Sequence, residues 1–147
     1  MQSDRFHLIG AVFIILEKDN KIFLTRRKNT GWEDGKYSLT GGHLDGNETA
    51  TQAAVREAQE ELGITIDPTD LQFVNVSHLI TNSERIHFTF VAKKWKGEPR
   101  NNETEKADDA QWFSIDKLPE NTMEVSRETI NWYRNNNIYT EFGWDKK

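Results

Sequence analysis

The 147-residue chain is long enough for one compact domain with a real hydrophobic core. Its net charge of −5 argues against electrostatic capture of a nucleic-acid polymer or an anionic membrane, though not against small phosphorylated ligands, because a bound metal inverts the local charge. A cysteine count of zero excludes disulfides, thiolate metal sites and cysteine nucleophiles. Five Trp, eight Phe and three Tyr supply much of the mass available for burial. The N-terminal stretch MQSDRFHLIG lacks the basic-then-apolar layout of a secretory leader, and no apolar run reaches the length of a membrane span. The expectation is a soluble cytoplasmic protein forming a single domain over residues 1–147.

In chain order, residues 6–17 (FHLIGAVFIILE) read as a buried strand rich in β-branched and aromatic side chains. Residues 18–20 form a turn, and residues 21–27 (KIFLTRR) alternate as a second strand, so the pair reads as a hairpin. A polar loop over 28–36 follows, then a short strand over 37–40 running into Gly41 and Gly42. A helix is predicted over 49–62, strands over 71–80 and 85–95, and a turn over 96–99. A polar stretch over 100–109 leads to a last short strand over 110–114, with Trp112 and Phe113 as its core residues. A turn over 116–119 and an amphipathic helix over 122–135 complete the order, leaving Trp144 in the tail, where it would cap the fold or meet a partner subunit. The order ββ(β)α then βββα indicates a mixed sheet with helices packed on it.

The first helix is the informative one. Glu57, Glu60 and Glu61 stand at i, i+3 and i+4 and share roughly one third of the helix circumference. Like charges at this spacing repel, and they lie in the last turns, where the macrodipole disfavours negative charge. Ala50, Ala54, Val55, Ala58 and Leu62 fall on one apolar stripe. The glutamates and Ala53 form the adjacent edge, and Gln52, Arg56 and Gln59 lie towards solvent. The acids therefore flank the core stripe at the rim of a groove, where unpaired carboxylates are expensive. A hard divalent cation with oxygen ligands would offset that expense. The blander reading is a solvated acidic face.

The flanking residues separate the two readings. From Gly42 the chain has five residues, Glu48, seven residues, Arg56-Glu57, Ala58, one residue, Glu60-Glu61, one residue, then Gly63 and Ile64. This resembles the signature box of the Nudix hydrolases, with Ala58 where a bulkier aliphatic is more usual. The resemblance extends to Arg26-Arg27, to Gly97-Glu98-Pro99 and to the WFSIDKLP segment, and so covers essentially the whole chain. It implies an α/β/α sandwich around a mixed central sheet and hydrolysis of a phosphoanhydride in a nucleoside diphosphate linked to another group X.

The same resemblance implies the site. Glu57, Glu60 and Glu61 would hold Mg²⁺, with Mn²⁺ as an alternative, and the Gly41 carbonyl would complete the shell. Arg56 and Glu48 would brace the loop against the helix; a lesser reading is an ordinary surface salt bridge. Gly42 and Gly63 would serve the loop and the helix C-cap. Thr40 replaces a proline common in the family. A further acid would come from the loop across the groove, Glu105 in preference to Glu103. For substrate, Arg27 is the candidate for a terminal phosphate, and Trp32, Tyr37, His43 and Phe88 are candidates to stack on a base. The expected activity is that of a MutT-like nucleotide pyrophosphohydrolase, cleaving a nucleoside triphosphate to monophosphate and pyrophosphate. ADP-ribose or a nucleotide sugar is the rival substrate, and a non-catalytic nucleotide-binding module is the rival class. Isopentenyl-diphosphate isomerase chemistry on this fold leans on a cysteine, which the chain lacks. The partner is a small nucleotide, and a homodimer is left open.

Overall fold

A computed structural model describes residues 4–146. Residues 1–3, the start of the stretch read above as unlike a leader, and Lys147 lie outside the described residues. The first apolar run becomes strand β1 (Ile9–Lys18), which begins three residues later than expected. Ile9 pairs with Arg85, the last neighbour available in that direction, so Phe6 and Leu8 have no ladder to join and remain exposed. Asp19 and Asn20 both take positive φ, the conformation a tight two-residue hairpin demands, and β2 (Lys21–Arg27) returns beside β1.

Around β1 the sheet is assembled in both senses. Its Ala11–Ile14 stretch pairs antiparallel with β4 (Thr40–His43), which follows the two-residue β3 (Tyr37–Ser38). Its other edge pairs in parallel with β6 (Glu84–Ala92). β5 (Leu71–Ile80) continues antiparallel to β6, and β7 (Ala107–Ser114) lies antiparallel on β2. The result is a mixed sheet with α1 (Ala50–Leu62) on one face and α2 (Glu124–Arg134) on the other, the expected sandwich. Alternation along β1 divides the two cores. Val12, Ile14 and Leu16 meet Ala53, Ala54, Ala58 and Leu62 of α1, whereas Ile15 joins Leu24, Val91 and Ile130 beneath α2.

Besides the late start of β1, the single strand expected over 37–40 is divided into β3 and β4, and three further elements depart from expectation. β6 stops at Ala92, and Trp95 turns to stack on Trp112 with ring centroids 5.9 Å apart. β7 begins at Ala107 because the preceding polar stretch folds back on itself before entering the sheet. The tail adds a strand, β8 (Tyr139–Phe142), parallel to β5 after a reversal at Asn136. Trp112 and Phe113 pack against the two cores as expected. Trp144 caps the fold: its indole N–H donates to the His78 carbonyl at 3.0 Å. Among the described residues no helix is long and apolar enough to cross a membrane.

His87 is a charge-sensitive point of this sheet. It is buried against Phe13, and its pKa is pushed down to about 4 by burial first, then by its neighbours Arg85 and His43. The unfolded imidazole titrates near 6.5, so between these values the unfolded chain binds the extra proton and stability rises with pH. Between pH 7 and pH 5 this group alone removes roughly 2 kcal/mol of stability. Urea unfolding of the wild type and His87→Gln at the two pH values should show the smaller loss in the variant; equal losses would contradict the assignment.

Candidate active site

The helix that carries the acids is held at both ends. Thr49 caps its N-terminus in a capping box: its hydroxyl accepts from the Gln52 N–H at 3.1 Å, while the Gln52 side chain accepts from the Thr49 N–H at 2.9 Å. Gly63, in the left-handed conformation, closes the C-terminus. Small alanines let the backbone settle close to the sheet. Ala53, placed on the glutamate edge by the sequence reading, is fully buried, while Ala50 and Val55 are only half-buried. The helix is thus turned a little towards β4, which takes Glu57 off the rim and buries it to 8% exposure.

The glycine pair makes that burial feasible. A β-carbon on Gly42 would stand 2.0 Å from a carboxylate oxygen of Glu57, and one on Gly41 would stand 2.1 Å from the Val12 carbonyl. Only a bare backbone fits between strand and carboxylate. The Gly41 N–H also donates to Glu61 at 3.4 Å.

Arg56 gathers the surrounding charge. Its guanidinium donates to Glu48 at 2.8 and 3.1 Å, to Glu57 and Glu60 at 3.3 Å each, and to the His43 carbonyl at 3.2 Å. Asp45 lies 3.3 Å away. The hydrogen bond with Glu48 comes first among the causes that raise the pKa of Arg56, and the same bond holds Glu48 below the usual carboxylate range. Glu57 behaves oppositely: burial raises its pKa, against the pull of Arg56 and with the push of Glu60 and Glu103. Glu61 is raised well above the ordinary range, by burial first and then by Glu57 and Glu103. These two carboxyls are short of positive charge.

They face a cleft of about 670 Å³. Arg27, Gly41, His43, Arg56, Glu57, Glu60 and Glu61 line it, and Glu48 stands behind as the brace of Arg56. Glu105 does not line it; Glu103 does. The turn in which the N–H groups of Lys106 and Ala107 donate to the Glu103 carbonyl faces Glu103 into the cleft and leaves Glu105 exposed. Tyr37 is also misplaced by the sequence reading: its ring is buried edge-on to Phe113 and its hydroxyl donates to Asp109. Phe88 packs against the α1 core. Trp32 opens instead onto a separate groove with Ile80, Met123 and Phe142, and its carbonyl accepts from Arg27 at 2.7 Å. Lys106 was missed, since nothing distinguishes it from other loop lysines until the turn brings it to the cleft.

The donor set fits a hard cation. Glu57, Glu61 and Glu103 offer carboxylate oxygens, and the first two are pushed towards protonation by burial and by neighbouring carboxylate charge, which a cation would relieve. Among the described residues no group of three or more acidic or histidine side chains is already arranged to hold a metal ion, so the fit lies in donor chemistry and charge.

Sheet, helices and acidic cleft together make an α/β/α sandwich with a charged cleft along α1. The chain belongs to the Nudix family: the NUDIX domain model matches residues 7–133. It is 31% identical over 120 residues to an 8-oxo-dGTP diphosphatase of Escherichia coli, covering 82% of this chain and 90% of that protein. It is 33% identical over 124 residues to an ADP-ribose pyrophosphatase of Methanocaldococcus jannaschii, covering 81% and 70%. A MutT NUDIX hydrolase from Burkholderia pseudomallei superimposes with a TM-score of 0.79 at 26% identity, covering 86% of this chain and 98% of that one. The protein is therefore a Nudix pyrophosphohydrolase by class, and divalent metal is general to such enzymes.

Gly42→Ala tests the close approach. The added methyl must displace the Glu57 carboxylate, so hydrolysis should fall by on the order of tenfold to a hundredfold, the scale of misplaced catalytic groups. Thermal melting should show the fold retained. Unaltered turnover would mean that Glu57 tolerates a different position.

Proposed function

We propose that the chain hydrolyses a nucleoside triphosphate to the monophosphate and pyrophosphate with Mg²⁺, for which Mn²⁺ can substitute. One observation carries this reading: a single cleft holds the carboxylates Glu57, Glu60, Glu61 and Glu103 together with the cations Arg27 and Lys106. Carboxylates alone would repel a polyphosphate, and cations alone would bind it without activating water. The match to an 8-oxo-dGTP diphosphatase spans 90% of that protein, against 70% of the ADP-ribose pyrophosphatase, and this supports the triphosphate.

Glu57, Glu61 and Glu103 would hold the metal, with Glu60 beside them and the Gly41 carbonyl within reach of the same cleft. When bound, Mg²⁺ supplies Lewis-acid neutralisation of the phosphates and a fixed frame for in-line attack by water. Arg27 and Lys106 contribute charge to the polyphosphate, and Arg27 is already steadied by the Trp32 carbonyl and, at 3.0 Å, by the Thr30 hydroxyl. Arg56, held by Glu48, keeps Glu57 and Glu60 in place. A carboxylate of the cluster takes the proton from the attacking water. His43 in the cleft and Trp32, whose carbonyl steadies Arg27, are the candidates to meet the base, whereas Tyr37 and Phe88 are committed to packing.

Glu57→Gln should fold normally and lose turnover by at least on the order of 10²–10³, the loss expected when a main electrostatic element goes. Glu103→Gln should lose less, and Glu105→Gln should be silent; a loss confined to Glu105→Gln would reverse the assignment. Product analysis with a panel of nucleoside triphosphates, ADP-ribose and nucleotide sugars tests the substrate. Monophosphate plus pyrophosphate is the expected outcome. Release of orthophosphate, or turnover of ADP-ribose alone, would contradict the triphosphate reading.

A further inference from the structure

The loop that carries Glu103 is fastened to the helix that carries the other carboxylates. An α-helix ends with its last four carbonyls unpaired within the helix. In α1 the Gln59 carbonyl takes the Gly63 N–H at 3.0 Å, and the segment 100–102 supplies donors to the other three, Glu60, Glu61 and Leu62. The Arg100 N–H donates to the Leu62 carbonyl at 3.1 Å and the Asn102 N–H to the Glu61 carbonyl at 2.9 Å. The Asn102 side-chain amide spans the Glu60 carbonyl at 3.2 Å and the Gln59 carbonyl at 3.4 Å. Arg100 holds the other end of that amide, donating to Asn102 Oδ1 at 3.1 Å.

Charge follows the same geometry. The last turn of α1 contains no basic residue. The Arg100 guanidinium packs over Gly63, so close that a β-carbon there would stand 2.5 Å from it, and so brings positive charge to the negative end of the helix. On the far side of Asn102 the loop is closed by Asn101, whose amide donates to the Ala107 carbonyl at 2.7 Å and whose oxygen accepts from the Glu103 N–H at 3.1 Å. Glu103 therefore sits between two fixed points, one on the helix and one within its own turn.

We propose that Asn102, steadied by Arg100, is a positioning residue that sets Glu103 against Glu57 and Glu61 and thereby sets the affinity of the cleft for a divalent cation. The proposal rests on the cation reading given above. Its physical basis is that the carboxylates come from two separate elements, and Asn102 is the side chain that ties one to the other. Glu103 already acts electrostatically on both Glu57 and Glu61, so a loop that drifts from the helix weakens the cluster as a unit. Outer partners that orient metal ligands have comparable effects in metal sites generally.

The test is Mn²⁺ titration of the metal-free protein by calorimetry, for Asn102→Ala, Glu103→Gln and the double variant, with a thermal melt of each. Asn102→Ala should weaken Mn²⁺ binding about tenfold, at the low end of the range for such partners. In the Glu103→Gln background the same change should weaken it no further, because the residue acts through Glu103. A purely structural cap would lower the melting temperature alike in both backgrounds and leave Mn²⁺ affinity unchanged. Unchanged affinity in Asn102→Ala, or an equal weakening in both backgrounds, would overturn the proposal. Should Asn102→Ala fold poorly, Arg100→Ala leaves every backbone donor in place, and it should weaken Mn²⁺ binding in the same direction; no weakening there would overturn the proposal too. A wild type that binds no Mn²⁺ would instead overturn the cation reading, and this proposal with it.

Discussion

The constraint from which the rest of the structure follows is a shortage of positive charge around Glu57 and Glu61. Arg56 is the one residue of α1 that reaches into the cluster as a cation, and its guanidinium is divided among Glu48, Glu57, Glu60, Asp45 and the His43 carbonyl. Glu48 takes the strongest share, and Glu57 and Glu61, raised first by burial, are left with little cationic compensation. In water such a cluster would disperse. Here the sheet prevents it, because Gly41 and Gly42 press bare backbone against the acids and the alanines of α1 hold the helix down.

Several features that look independent serve that confinement. The capping box at Thr49, the left-handed Gly63 and the donors from segment 100–102 stabilise a helix whose acidic last turns disfavour it. Each such cap is worth on the order of 1 kcal/mol, more than the few tenths lost to each close pair of like charges. The helix can therefore hold the repelling side chains in place without help from a ligand. A site made this way holds carboxylates and cations in one cleft, and under the proposed reading these would serve a cation and a polyanion together.

The central part of this arrangement was legible in the sequence because it is local. The bounds of α1 are set by Thr49 and Gly63, and the face of the glutamates follows from helical angles. The brace between Arg56 and Glu48 spans one loop and two turns. What was hidden depends on tertiary turns. Glu103 and Glu105 are equivalent as letters, and only the closure of their turn onto Ala107 decides which one meets the helix. Tyr37 reads as a free aromatic near the box until β3 places it under Phe113 and beside Asp109. β8 is short and carries only two polar residues between two aromatics, and it exists because Asn136 turns the tail onto the edge of β5. Ala53 shows the smallest error of this kind, a modest rotation of one helix that turns a rim carboxylate into a buried one.

The claim at the centre is that the buried carboxylates are kept for a cation and are not surplus acidity. It is tested most directly by thermal melting of the metal-free protein over a series of Mg²⁺ concentrations, at fixed ionic strength. A ligand that binds only the folded chain raises its melting temperature progressively with concentration. Saturable stabilisation by Mg²⁺ that disappears in Glu57→Gln is the predicted result. A melting temperature indifferent to Mg²⁺, in a protein that still hydrolyses its nucleotide in the presence of a chelator, would contradict it.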